Sequence, residues 1–215
     1  MSGPSVSDPP LDCAFCPRLA AFRDSNQSAY PEFHNAPVAS FGSTDARLLI
    51  IGMAPGLKGA NRTGRPFTGD YAGDLLYATL RRHGFAEGVY DKRADDGLSL
   101  IDCRITNAVR CVPPQNKPVG AEVTACRQFL TATLAEMPAL RVLLVLGGLA
   151  HGATLAALGL KKSHVKFGHN AVYPLPDDRW LVGSYHCSRY NTNTGRLNEA
   201  MFDDVFVRIR GLLNG

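Results

Sequence analysis

RLLIIGMAPGLKGANRTGRPFTGD (47–70) reads as a strand followed by a loop that can come close to a ligand. Residues 47–53 are a short, continuous apolar run ended by glycine, the pattern of a strand buried on both faces. The loop 54–70 is longer than the about 12–15 residues beyond which a structureless connection is usually functional or disordered. Its glycines let backbone approach a bound group closely. Asn61, Arg62, Thr63 and Arg65 supply donors, and Phe67 supplies a flat apolar face. The pattern is neither a Walker loop nor G-x-G-x-x-G, so a nucleotide triphosphate site is not indicated. The plainer alternative is a solvated surface loop, and a phenylalanine among the glycines weighs against it.

On either side of this stretch the apolar period changes between strand and helix. A helix is expected over 70–83, with Leu75, Leu76 and Leu80 on one side and Asp70 and Asp74 in the first turn, where the helix dipole favours carboxylates. SLIDCRITNAVRC (99–111) holds a second strand, centred on Ile105 to Val109. AEVTACRQFLTATLAEM (121–137) is a helix with Val123, Cys126, Leu130, Leu134 and Met137 repeating at three and four. RVLLVLGG (141–148) and RWLVGSYH (179–186) are the third and fourth strands. Helices are expected at 16–24, 149–158 and 198–212, and an exposed hairpin or loop at 161–178. Strands alternating with helices predict an α/β fold with a mainly parallel sheet. In such sheets ligands bind beyond the carboxyl ends of the strands, which directs attention to loops 52–70, 107–119, 147–151 and 186–196.

The chain of 215 residues, 45% hydrophobic, suffices for one buried core, so residues 11–215 are expected to form a single domain after a disordered tail, 1–10. No apolar run approaches the roughly 18 residues of a membrane span, and MSGPSVSDPP has neither a basic nor an apolar leader region. A cytoplasmic monomer is expected. The formal charge of +4 permits an anionic partner without requiring one.

Six cysteines in a reducing compartment do not suggest disulfides. Cys13 and Cys16 form a C-x2-C pair in a polar, proline-flanked segment. Cys111 lies at a strand end and Cys126 on the following helix. Two close and two distant thiolates can close a four-cysteine site, and spacing alone leaves zinc and an iron–sulfur cluster both open. Cys111 and Cys126 could instead be small core residues. Cys103 and Cys187 read as free thiols. YHCSRYNTNTGRL (185–197) also joins a strand to a helix, and it places His186 at a strand's carboxyl end with Ser188, Arg189, Asn191 and Arg196 behind it. His151, His164 and His169 lack such a setting and are expected to be structural.

Taken together, these segments resemble the uracil-DNA glycosylase superfamily. GMAPGLKGANRTGRPFTGD looks like its first motif and YHCSRYNTNTGRL like its second. The C-x2-C pair, the TNAVRCVPP segment and Cys126 are similar to the branch that carries a [4Fe–4S] cluster, and G-M-A-P with NRTGR resembles family 5 (type b) more than family 4. The resemblance implies a three-layer α/β/α fold with a central four-stranded, mainly parallel sheet. It also implies excision of deaminated bases from single- or double-stranded DNA, by hydrolysis of the N-glycosidic bond after base flipping, as a step of base excision repair. By position it makes Cys13, Cys16, Cys111 and Cys126 ligands of a structural [4Fe–4S] cluster. It has Phe67 stack on the base, Asn107 bond the base edge and His186 stabilise the leaving anion. Gly52, Met53, Ala54 and Gly56 form the pocket wall, and Ser188, Arg189 and Asn191 enter the DNA.

The sequence departs from many members in having Met53 and Ala54 where an acidic residue would orient water. Stabilisation of the leaving base by His186 is therefore expected to dominate, with Asn61 holding the water and Asp70 or Asn107 behind it. Asp70 could equally serve only to cap its helix. The small Ala54 predicts tolerance of hypoxanthine and xanthine beside uracil. Arg62, Arg65, Arg189 and Arg196 are expected to meet phosphates, with Lys161, Lys162 and Lys166 extending that face. The competing readings are a non-catalytic iron–sulfur DNA-binding protein and a redox protein.

Overall fold

The computed structural model describes residues 7–161, 163 and 165–215. In chain order the elements are α1 (Pro17–Ala29), β1 (Leu48–Gly52), α2 (Ala60–Thr63), α3 (Tyr71–Arg82), β2 (Ala86–Glu87), β3 (Ser99–Leu100), β4 (Cys103–Asn107), a 3-10 turn at Pro114–Asn116, α4 (Gly120–Ala135), β5 (Val142–Leu146), α5 (Gly148–Ala157), β6 (Val172–Pro174), β7 (Trp180–Ser184), α6 (Arg189–Asn193) and α7 (Glu199–Asn214). The expected α/β class is present. β4, β1, β5 and β7 lie side by side and run parallel. β6 adds a fifth, antiparallel strand on the outer edge of β7, inside the segment expected to be a hairpin or loop. It is three residues long and ends in proline, which only an edge position tolerates, so no strand pattern announces it.

Alternate residues of the parallel strands feed two cores, as the two-residue period of a strand requires. Leu48 and Ile50 of β1, Val142 and Leu144 of β5 and Val182 of β7 pack with Leu76 and Leu80 of α3 and Phe202 and Phe206 of α7. Leu49, Ile51, Leu143, Val145 and Leu181 point the other way, onto Leu130 and Leu134 of α4 and Ala150 and Ala153 of α5. The result is three layers, with β1 and β5 buried along their whole length. The chain leaves β1 for β4 on one side and later returns to β5 on the other. That reversal opens a crevice at the carboxyl end of β1.

A third, smaller cluster joins α1 and α4 through Leu19, Val109, Cys126 and Phe129. Arg18 of α1 grips Glu122 of α4 with two hydrogen bonds, 2.7 and 2.9 Å, and Glu122 also accepts from the Val119 amide at 2.8 Å. Beside this cluster Ser7 and Asp8, placed by expectation in a disordered tail, are ordered. Residues 1–6 lie outside the described residues, but Ser7 is buried and Asp8 is the counter-ion of Arg110, at 2.7 Å. Arg110 is fully buried and also donates to Ser40 Oγ (2.9 Å), Thr133 Oγ1 (3.0 Å) and the Ser7 carbonyl (3.1 Å). A buried guanidinium needs such partners, and this need orders the residues that local composition alone would leave loose. Among the described residues no helix is long and apolar enough to cross a membrane.

Removing one partner of a buried ion pair leaves the other charged and desolvated. Asp8→Ala should therefore lower the unfolding free energy by about 3 kcal/mol. Urea denaturation of the variant against the wild type measures it, and a loss under about 1 kcal/mol would show that Arg110 does not depend on Asp8.

Candidate active site

Gly52, the last residue of β1, is paired in register with Asn107, the last residue of β4. The Gly52 carbonyl accepts from the Ala108 amide at 2.9 Å, and the Met53 carbonyl from Val109 at 3.0 Å, so the two strand ends are joined beyond the sheet. A Cβ on Gly52 would overlap both the side-chain oxygen of Asn107 and the ring of Phe67. Only glycine lets those two side chains converge over the strand end. Phe67 holds a left-handed backbone, φ 53°, and is buried. Its ring lies 5.8 Å from that of His186, at 27°.

His186 follows β7 and is half-buried. The Asn191 side chain donates to its carbonyl at 2.8 Å, and Ser188 caps α6 by accepting from the Asn191 amide. Burial pushes the His186 pKa down to about 4, so the imidazole is neutral near pH 7 and carries one N–H donor. Asp70 caps α3, with Oδ1 accepting from the Gly73 amide at 3.2 Å. Its second oxygen faces Gly56 and Gly59, where a Cβ on either would crowd it. Burial raises the Asp70 pKa.

Phe67, Asn107, His186 and Asp70 wall one recess together with Ala54, Gly56 and Ala72. The recess is about 30 Å³, room for a water molecule. Alongside it lies an open cleft of about 700 Å³, sharing Ala54, Gly56, Asp70, Ala72 and His186 and bordered by Met53, Lys58, Tyr71, Asn116, Leu149 and Arg189. Four loops were expected at the carboxyl ends of the strands, and each contributes to this recess and cleft.

Two expected site residues are elsewhere. Asn61 is buried and its side-chain amide donates to Asn35 Oδ1 at 2.9 Å, so it fastens the loop to the segment before β1 and has no place in the recess wall. Arg65 does not face solvent. Its guanidinium forms a two-point ion pair with Asp96, both bonds at 2.8 Å, and cannot reach a phosphate. Arg62, Arg189 and Arg196 are exposed, the last two lying over the rings of Tyr71 (5.4 Å) and Tyr185 (4.6 Å). Lys162 and His164 lie outside the described residues. Tyr71, Asn116 and Leu149 line the cleft without having carried a sequence signal, since a tyrosine after a helix cap or an asparagine after prolines is common anywhere.

Cys13, Cys16, Cys111 and Cys126 border a single apolar recess with Leu19, Val109 and Phe129. Cys126 Sγ accepts from the Arg110 amide at 3.3 Å. Burial pushes the thiols of Cys111 and Cys126 up, to about 12 and about 11. Among the described residues no three His, Cys, Asp or Glu side chains are placed to hold a single metal ion. Cys103 and Cys187 are buried and lie outside this group.

The sequence profile of the uracil DNA glycosylase superfamily matches residues 39–210, from the segment before β1 to α7. The chain belongs to the uracil DNA glycosylase superfamily. It is 44% identical over 205 residues to a type-5 uracil-DNA glycosylase of Thermus thermophilus, covering 93% of each chain. It is 41% identical over 208 residues to a type-5 uracil-DNA glycosylase of Mycobacterium tuberculosis, covering 93% of this chain and 78% of that one. A third type-5 relative, from Pyrobaculum aerophilum, is 36% identical over 202 residues, 92% of this chain and 88% of the relative.

Gly52→Ala should keep the fold and displace the site, because the atoms its Cβ meets belong to side chains that can turn away. Glycosylase activity should fall about 100-fold with an unchanged circular dichroism spectrum. Wild-type activity in Gly52→Ala would remove the glycine from the site's geometry.

Proposed function

We propose that the protein is a uracil-DNA glycosylase of the type-5 kind, hydrolysing the bond between deoxyribose C1′ and the base nitrogen. The convergence of Phe67, Asn107 and His186 on one recess at the carboxyl ends of the sheet carries this reading. It fits the activity for which the relatives are named, and it acts on DNA through an exposed face bearing Arg62, Ser188, Arg189 and Arg196. The base leaves the stack and enters the recess. The recess as it stands takes a water rather than a base, so binding parts the Phe67 and His186 rings, and the base takes the imidazole's place against Phe67. The amide of Asn107 bonds the base edge.

As the C1′–N bond breaks, its electron pair passes to the base. A neutral imidazole N–H of His186 stabilises that anion at the inner end of the recess. The water oxygen bonds to C1′, its proton passes to the Asp70 carboxylate that holds it, and the departed base anion is neutralised by a proton in turn. With Asn61 engaged by Asn35, Asp70 is the residue that holds the water, through the oxygen not used in capping α3. Ala54 leaves room beside the recess for a purine, so hypoxanthine and xanthine are proposed as further substrates, and base excision repair as the setting.

Cys13, Cys16, Cys111 and Cys126 are proposed to hold a [4Fe–4S] cluster. The donor set fits: four thiols, an apolar surround, and a backbone N–H directed at one sulfur. Four thiols around one apolar recess match the four iron corners that a cluster offers. When bound, the cluster supplies a cross-link between the segment leading into α1, the β4–α4 connection and α4. The chemistry falls to the recess residues.

Release of uracil from a labelled oligonucleotide, followed by alkali cleavage, tests the activity. His186→Ala should slow single-turnover excision by about 100-fold or more, and equal rates would end this mechanism. Because the neutral imidazole is the working form, the wild-type rate should stay level between about pH 6 and 8. A working imidazolium would instead lose about tenfold per pH unit above its pKa. Anaerobically purified protein should contain iron and acid-labile sulfide in equal amounts with broad visible absorption. Both should be lost in Cys16→Ser, and zinc in place of iron would overturn the assignment.

A further inference from the structure

We propose that the buried Arg65–Asp96 ion pair is a positioning device for the ring of Phe67, fixing the surface on which the target base stacks. The inference rests on the glycosylase reading above. Arg65 stands two residues before Phe67, and the side chains of the pair are only 5% and 1% exposed. The guanidinium is bounded by three rings, Phe41 at 5.1 Å, Tyr77 at 5.5 Å and Tyr90 at 5.9 Å. Its Nε donates to Thr68 Oγ1 at 2.8 Å. Asp96 accepts further bonds from the amides of Asp91 (2.8 Å) and Leu98 (3.1 Å), which tie the carboxylate to the β2–β3 connection.

Two of the rings that hold the guanidinium, Tyr77 and Tyr90, also hold the backbone on both sides of Phe67. The Tyr77 hydroxyl donates to the Pro66 carbonyl at 2.6 Å. The Tyr90 hydroxyl lies 3.4 Å from the Phe67 carbonyl, to which it donates, and 3.4 Å from the Gly69 amide. Residues 65 to 69 are thus pinned at nearly every position. A non-glycine residue at φ 53° persists only where its surroundings over-determine it, and such strain gathers at sites of function. On the opposite side Gly73 makes the room, since a Cβ there would overlap the Phe67 carbonyl.

Stability alone is a poor reason for this arrangement. Desolvating two charges costs as much as their attraction returns, and a packed apolar pair would hold the loop as firmly. A fork of two parallel hydrogen bonds gives direction instead, which a stacking ring needs and a merely buried loop does not. Lysine cannot replace it, being a point charge without the fork.

The test is a double-mutant cycle on the wild-type chain. Arg65→Lys and Asp96→Asn are each made alone and with Phe67→Ala, and single-turnover uracil excision is measured at saturating enzyme, with thermal unfolding alongside. Each should slow excision about 10- to 100-fold and add nothing further to the loss caused by Phe67→Ala, because all act through one ring. Losses that multiply with that of Phe67→Ala, or a wild-type rate for Arg65→Lys, overturn the proposal. A variant that is unfolded at the assay temperature is replaced by Tyr90→Phe, which removes one hydroxyl at the Phe67 carbonyl and is held to the same non-additivity. A wild-type protein that releases no uracil would instead overturn the glycosylase reading.

Discussion

The geometry of the candidate site depends on the missing Cβ at the end of β1. A parallel sheet brings the ends of β1 and β4 into register, which sets Gly52 opposite Asn107. Any side chain at Gly52 would fill the volume into which Asn107 and Phe67 both project. The sheet supplies rigidity, since β1 is flanked by two strands and covered on both faces. The loops then need only lower Phe67 and His186 onto a fixed floor. Chemistry that relies on stabilising a departing anion gains from this rigidity, because donors already in place need no reorganisation when charge develops.

A second organising centre lies on the far side of β4. Arg110 is buried between Asp8, the segment before β1 and α4, and its partners come from all three. Its own amide points at Cys126 Sγ. The four-cysteine recess is therefore built on a scaffold of hydrogen bonds belonging to the protein alone, reinforced by Arg18 and Glu122. Asn107 sits three residues before Arg110, so whatever holds this region also holds one wall of the recess. Buried charges recur on both sides of the site, Arg110 with Asp8 and Arg65 with Asp96. In each, a guanidinium with several directed donors fixes an irregular segment that has no ladder of its own.

Much of this was legible without coordinates. The parallel strands and the main helices follow from apolar runs and from repeats at three and four, and the four loops at the strand ends follow from the topology rule. Phe67 was legible as the apolar face in a glycine-rich loop, His186 as a histidine just past a strand's carboxyl end, and Asn107 through the family resemblance of its segment. Asn61 and Arg65 were misjudged for one reason: a polar residue in a glycine-rich loop looks exposed, and only its long-range partner shows otherwise. Asn35 and Asp96 are those partners, 26 and 31 residues away, with nothing in their own surroundings to mark them. The order of Ser7 and Asp8 is not legible either, since a Pro/Ser-rich stretch reads as loose until a buried arginine claims its aspartate. β6 is too short for a period to be seen.

The sequence by itself determined the α/β class, the strand ends at which a site had to lie, and the residue types able to serve there. These are local properties, written in the burial period of single elements and in the backbone freedom of glycine. Tertiary structure alone decided which polar side chains turn inward, and that Asp70 rather than Asn61 faces the recess. Those outcomes depend on pairs of groups far apart in the chain. The free energy of a buried charge or amide is set by the partner it meets, and no residue carries that information in its own neighbourhood.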